Sequence, residues 1–162
     1  AKPWQIIKVS ASDGGTQLQL ENAIFTLTKE GSEPYYGKSE AETGIIKWYT
    51  DENCNTELIG YIPDGEYSFQ EIKAPEGYMK STVIWNIYIE NGSPESIKIG
   101  EQEVSGNMVN DILTYYFVNV ALYELPSAGG PGIFLYMIGG TLLLMAGSLM
   151  IYINRRRGVL RR

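Results

Sequence analysis

From Ile133 to Ile153 the chain runs for twenty-one residues without a charge and with almost nothing polar. A helix needs about 20 such residues to cross ~30 Å of hydrocarbon, so the stretch predicts one transmembrane helix near the C-terminus. Arg155, Arg156, Arg157, Arg161 and Arg162 follow it, and a basic cluster beside a span marks the cytoplasmic side. Glycines 139, 140 and 147 fit a helix-packing stripe but are ordinary in spans. Residues 1–124 are therefore expected outside the membrane, where they amount to roughly one domain.

The composition of that outer part excludes several function classes. Every arginine lies in the tail, which leaves residues 1–124 with eight lysines against nineteen acids, a net charge of −11. So acidic a domain argues against nucleic acid or anionic lipid as a partner. Histidine is absent, which removes Ser-His-Asp and Cys-His catalysis and histidine metal sites. Cys54 is the one cysteine, so an internal disulfide is impossible and any covalent staple needs other chemistry. No secretory signal opens the chain at Ala1, the expectation for a mature form or the C-terminal piece of something longer.

Short apolar alternations separated by turn residues predict strands at Trp4–Val9, Ala23–Leu27, Gly44–Tyr49, Leu58–Ile62, Glu66–Ile72, Thr82–Glu90, Ser96–Ile99 and Thr114–Leu122. The charged stretch Glu30–Thr43 reads as a loop, and turns are expected at Ser12–Gly15, Asp51–Asn55, Pro63–Gly65 and Asn91–Gly92. No amphipathic helix precedes Ile133. The fold expected is all-β, an antiparallel immunoglobulin-like sandwich followed by the single transmembrane helix.

Period-two alternation places three polar groups on inward faces. Glu71 shares a face with Tyr67 and Phe69, Lys8 with Trp4 and Ile6, and Asn119 with Phe117 and Ala121. A lone buried carboxylate is costly, so Glu71 should be neutral or partnered. The residues alone leave two readings open: a buried reacting trio, or a snorkelling Lys8 ion-paired with Glu71 beside an ordinary strand-end Asn119.

Weaker signals have plain explanations. Asp51-x-Asn53-x-Asn55 starts like a calcium loop, but Thr56 and Ile62 stand where glycine and a bidentate glutamate belong, so no metal is expected. Asn91-Gly92-Ser93 matches a glycosylation sequon that a turn accounts for better, and Cys54 reads as an exposed free thiol.

Two resemblances sharpen this picture. Leu125-Pro126-Ser127-Ala128-Gly129, the span 133–153 and the basic tail 154–162 together closely resemble a Gram-positive LPxTG-type cell-wall sorting signal, with Ala128 in the usual threonine place. That likeness implies cleavage between Ala128 and Gly129 by a sortase, a membrane-bound cysteine transpeptidase. The acyl end then passes to an amine on peptidoglycan precursor or a neighbouring pilin, and the membrane holds the precursor until it is cut. Pro126 would present a bent, extended segment and Gly129-Gly130 an approachable carbonyl.

The second resemblance is to Cna B-type (collagen-adhesin B-repeat, SpaA-like pilin) domains, carried by YSFQEIKAPEGY from Tyr67, by Leu20–Lys29 (LENAIFTLTK) and by the closing YYFVN; it covers most of residues 4–130. It implies domains at 1–124 and 125–162, and a spontaneous isopeptide bond between Lys8 and Asn119 assisted by Glu71. Lys2 is a second lysine near the start, and the first hairpin is a few residues longer than the family's. The implied bond is single-turnover self-modification, so no enzyme activity and no cofactor are expected. No Tyr-Pro-Lys acceptor occurs, which favours a basal, minor or adhesin-stalk subunit of the cell surface, with a host or matrix ligand as a further partner. The competing class is a membrane-retained single-span protein whose sandwich binds a ligand directly.

Overall fold

The computed structural model describes residues 2–11 and 17–122. Ten strands follow one another: β1 (Trp4–Ser10), β2 (Ile24–Thr28), β3 (Tyr35–Ser39), β4 (Ile46–Tyr49), β5 (Gly65–Lys73), β6 (Ile84–Glu90), β7 (Ser93–Ile99), β8 (Gln102–Glu103), β9 (Asn107–Val109) and β10 (Ile112–Asn119). They form a three-stranded sheet in the order β1-β10-β9 and a seven-stranded sheet in the order β4-β3-β2-β5-β6-β7-β8. The result is an all-β sandwich, with no helix among the described residues. None of those residues forms a helix long and apolar enough to cross a membrane. The predicted turn at Ser12–Gly15, the pentapeptide 125–129, the span 133–153 and the tail 154–162 lie outside the described residues.

The alternation seen in sequence becomes the core. Phe25 and Phe69 stack with ring centroids 4.7 Å apart, and Phe117 meets both rings edge-on at 5.0 and 5.7 Å. Trp85 closes on Phe117 at 5.0 Å and Trp48 on Phe69 at 5.8 Å. Offset and edge-on contacts of this kind add to the burial of large apolar area. Between β6 and β7 the hairpin turns on Asn91 (φ 55°) and Gly92 (φ 79°), the two positive φ values that a tight two-residue turn needs.

Three expectations are corrected, and two short strands join those anticipated. Glu30–Thr43 is not simply a loop: Tyr35–Ser39 pairs antiparallel with β2 and β4. Its charges mask a strand whose inward positions are the small Gly37 and Ser39, so no apolar alternation marks it. Leu58–Ile62 is not a strand. Leu58 donates one bond to Trp48 O at 2.8 Å, after which Ile59 and Tyr61 stand 97% and 76% exposed. Gly60 at φ 93° breaks the extended run between them. The short strands β8 and β9 carry too few residues for any periodicity to register.

The third correction concerns topology. β1 and β10 pair parallel, in register from Trp4↔Leu113 to Ser10↔Asn119, so the sandwich is not wholly antiparallel. A hairpin forces antiparallel neighbours, but these two strands are separated by nearly the whole domain and no turn dictates their sense. The chain therefore enters at the Trp4 end of this ladder and leaves at the Asn119 end.

Candidate functional site

Lys8 sits near the middle of β1, on the face that β1 turns toward the interior. Its main chain is held from the side opposite β10: Lys8 N–H donates to Gly44 O at 2.8 Å, and Leu20 N–H donates to Lys8 O at 2.9 Å. Gly44 has φ 68°, and a Cβ there would lie 2.6 Å from Lys8 O, so this approach requires glycine. The side chain is 0% exposed. Nζ donates to Val9 O at 3.1 Å and Phe117 O at 3.0 Å, and stands 5.4 Å from the centroid of the Phe117 ring. Burial pulls the amine down to about 8, with the charge of Glu71 acting the other way.

Glu71 comes from β5 in the opposite sheet, opposite Phe25 of β2 and two residues beyond Phe69. It is 2% exposed. Asn119 ends β10, two residues past Lys8's register partner Phe117 and hence on the same face, and is 1% exposed. Asn119 Nδ2 donates to both Glu71 oxygens, Oε1 and Oε2, at 2.8 Å each. Ser81 N–H also donates to Oε2, at 2.8 Å. Asn119 Oδ1 is buried without a hydrogen-bond partner among the described residues.

The two sheets thus bring an amine, a carboxyl and a carboxamide together out of water. Lys8 does not snorkel. Among the described residues the ion pairs are those of Lys47 with Glu40 and Glu57, so Lys8 and Glu71 make no direct ion pair. The exposed Lys2 precedes the Trp4 end of the ladder, away from Asn119. The chemistry open to this arrangement is aminolysis, since a buried amine with a lowered pKa shares the interior with a carboxamide that a carboxyl holds.

The other sequence signals resolve into local structure. Asp51 accepts from the backbone N–H groups of Thr56 at 2.7 Å and Asn55 at 2.9 Å, which hold its carboxyl below the usual range. Cys54 is a half-buried free thiol pushed up by burial. Pattern reading missed the main-chain members of the site, namely Gly44 O, Val9 O, Phe117 O and Ser81 N–H. No side chain advertises a backbone group, although Gly44 at a strand start was a visible mark.

The SpaA family, described as a prealbumin-like fold domain, matches residues 5–103, a stretch that holds Lys8 and Glu71 and stops before β10. Among solved structures, the chain is similar to the pilus adhesin SpaC from Lactobacillus rhamnosus GG in its open conformation, with a TM-score of 0.49 and 22% identity over 77% of this chain and 15% of that one. Similar too are the pilus adhesin RrgA from Streptococcus pneumoniae (TM-score 0.44, 22% identity, 65% and 11% of the two chains) and the pilus 2b backbone protein of group B streptococcus (0.40, 24%, 77% and 43%). The chain spans less than half the length of each. A comparison with curated proteins finds no match. A match over more than half of the sequence, on a sandwich of this kind, makes the chain a member of the SpaA prealbumin-like domain family.

Proposed function

We propose that this protein is a pilus-type or adhesin-stalk module of a Gram-positive cell surface, which locks itself with a Lys8–Asn119 isopeptide bond and is fastened to the wall by sortase. The observation that carries the first part is the burial of Lys8 and Asn119, on first and last strands that run parallel, with Glu71 of the opposite sheet. The second part rests on the order of pentapeptide, apolar span and arginine tail in the sequence.

In the reaction, Glu71 takes a proton from the Lys8 ammonium, and the Nζ lone pair attacks Asn119 Cγ. A carboxamide turned to offer Oδ1 to the protonated carboxyl gives the orphaned oxygen a donor where negative charge develops. The Cγ–Nδ2 bond breaks as Nζ sheds a second proton to Glu71; one of the two protons passes to Nδ2, ammonia leaves, and the other stays on the Glu71 carboxyl. One amide forms for each one lost, and no external reactant is consumed. Burial and hydrogen bonds hold amine and carboxamide in one interior site, and once they meet the proximity term is worth up to roughly 7–11 kcal/mol. Because β1 and β10 are parallel, tension applied at the two ends would run along Trp4 to Lys8, cross the new bond and leave at Asn119. The sheets in between would carry none of it. That is what a stalk needs.

Neighbouring pilin subunits or peptidoglycan precursor are the acceptors this reading requires, with a host or matrix ligand as a further partner. Intact mass of the denatured domain tests the bond: wild type should fall short of its sequence mass by one ammonia, and Glu71→Ala should not. A full mass in well-folded wild type would remove the reading. Release of the full chain by wall-digesting enzyme, as against detergent, tests the anchoring.

A further inference from the structure

Glu71 is held unevenly. Asn119 Nδ2 sits symmetrically in its fork, 2.8 Å from each oxygen, so Asn119 does not distinguish Oε1 from Oε2. The remaining donor among the described residues is a main-chain group. Ser81 N–H reaches Oε2 at 2.8 Å from the connection between β5 and β6, ten residues beyond Glu71 in sequence and folded back over the carboxyl. That connection is itself braced, with Pro75 buried, Tyr78 N–H donating to Pro75 O at 3.1 Å, and Val83 N–H donating to Ser81 Oγ at 3.2 Å.

We propose that the backbone N–H of Ser81 is a positioning group for the crosslinking reaction, fixing Oε2 as the accepting oxygen of Glu71 so that Oε1 carries the proton passed between Lys8 and Asn119. The inference rests on the crosslink reading and adds a direction to it. A carboxyl oxygen that accepts from an amide N–H is the poorer place for an O–H, because the O–H would have to point at a donor. In its neutral form Glu71 therefore bears its hydrogen on Oε1. The same bond stops the carboxyl from turning about its last torsion, which otherwise is broad and two-fold. The bond-making step is unchanged: Nζ–Cγ forms, Cγ–Nδ2 breaks, one Lys8 proton passes through Oε1 to the departing ammonia, and the second that Nζ sheds stays on Oε1. Ser81 neither gives nor receives a proton. It sets which oxygen does, and the β5–β6 connection must be in place before the site is competent.

The test separates the N–H from the side chain. Full chain that has never folded, recovered in denaturant, is refolded and sampled for ammonia loss by mass spectrometry. Ser81→Ala keeps the N–H and loses only the Oγ brace to Val83 N–H, so it should still lose ammonia and do so faster than any variant that removes the donor. Replacing residue 81 by lactic acid exchanges the N–H for an ester oxygen, and Ser81→Pro removes the donor genetically. Both should slow ammonia loss by about tenfold or more while tryptophan fluorescence reports the same folded core. Should the proline variant fail to fold, the ester variant decides alone. An ester variant that crosslinks as fast as wild type overturns the role of Ser81 while leaving the crosslink standing. If wild type and Ser81→Ala lose no ammonia, the crosslink reading itself fails and takes this role with it.

Discussion

The interior has two halves that obey different rules. Around Phe25, Phe69, Phe117, Trp85 and Trp48, five rings from both sheets touch one another several times over, so each ring's partners have other partners. At the end where β10 leaves, Lys8, Glu71 and Asn119 are just as buried but share no such redundancy, since one is an amine, one a carboxyl and one a carboxamide. Close packing makes the aromatic half a matter of volume, whereas the polar half is a matter of chemical identity. A substitution should accordingly damage stability in the first and reactivity in the second.

The largest expected break comes from Glu71→Ala. It should abolish ammonia loss and, by reopening a loop of more than a hundred residues, cost about 4–5 kcal/mol on the loop-entropy picture developed for disulfides, as measured by denaturant unfolding. Phe69→Ala probes the other half. Deleting a ring with no exposure and four aromatic neighbours should cost about 3–5 kcal/mol, yet chain that still folds should show the full ammonia deficit in its mass. If Phe69→Ala leaves stability untouched, or blocks the bond in well-folded chain, the division between the halves is wrong.

Gly44→Ala tests the boundary between them. A Cβ placed 2.6 Å from Lys8 O at φ 68° forces the main chain of Lys8 to shift, at a cost of about 1–3 kcal/mol. Crosslinking should slow as well, and unfolding measured alongside the rate of ammonia loss would show both. The smallest effect is set by pH. The proposed route starts from the Lys8 ammonium, which hands a proton to Glu71. With Lys8 at about 8, raising the pH past that value strips the starting proton, so the rate should fall roughly tenfold per unit above it. A rate that instead climbs through 8 to a plateau would mean that Glu71 acts only as a carboxylate base.

Much of this was legible in the order of residues because alternation is a local property. Tyr67, Phe69 and Glu71 share a face for the same stereochemical reason that Trp85, Ile87 and Ile89 do, and both sets are inward in the fold. β3 was hidden because Gly37 and Ser39 fill its inward places, and Leu58–Ile62 imitated a strand because it is a short apolar run, broken only by Gly60, without a partner long enough to pair it. Positioning by the main chain was equally hidden, as Ser81 acts through an N–H that every residue but proline possesses.

The sequence by itself determined the class of the domain, its acidic and histidine-free chemistry, and which three polar side chains would face inward, since composition and period-two geometry need no knowledge of distant neighbours. Only the tertiary structure decided that β1 and β10 run parallel, that Lys8 rather than Lys2 lies on the Asn119 side of the ladder, and that Ser81 reaches Glu71. Those facts depend on how strands far apart in the chain come to lie side by side, and pairing across such a separation is settled by packing the whole sandwich rather than by any local run of residues.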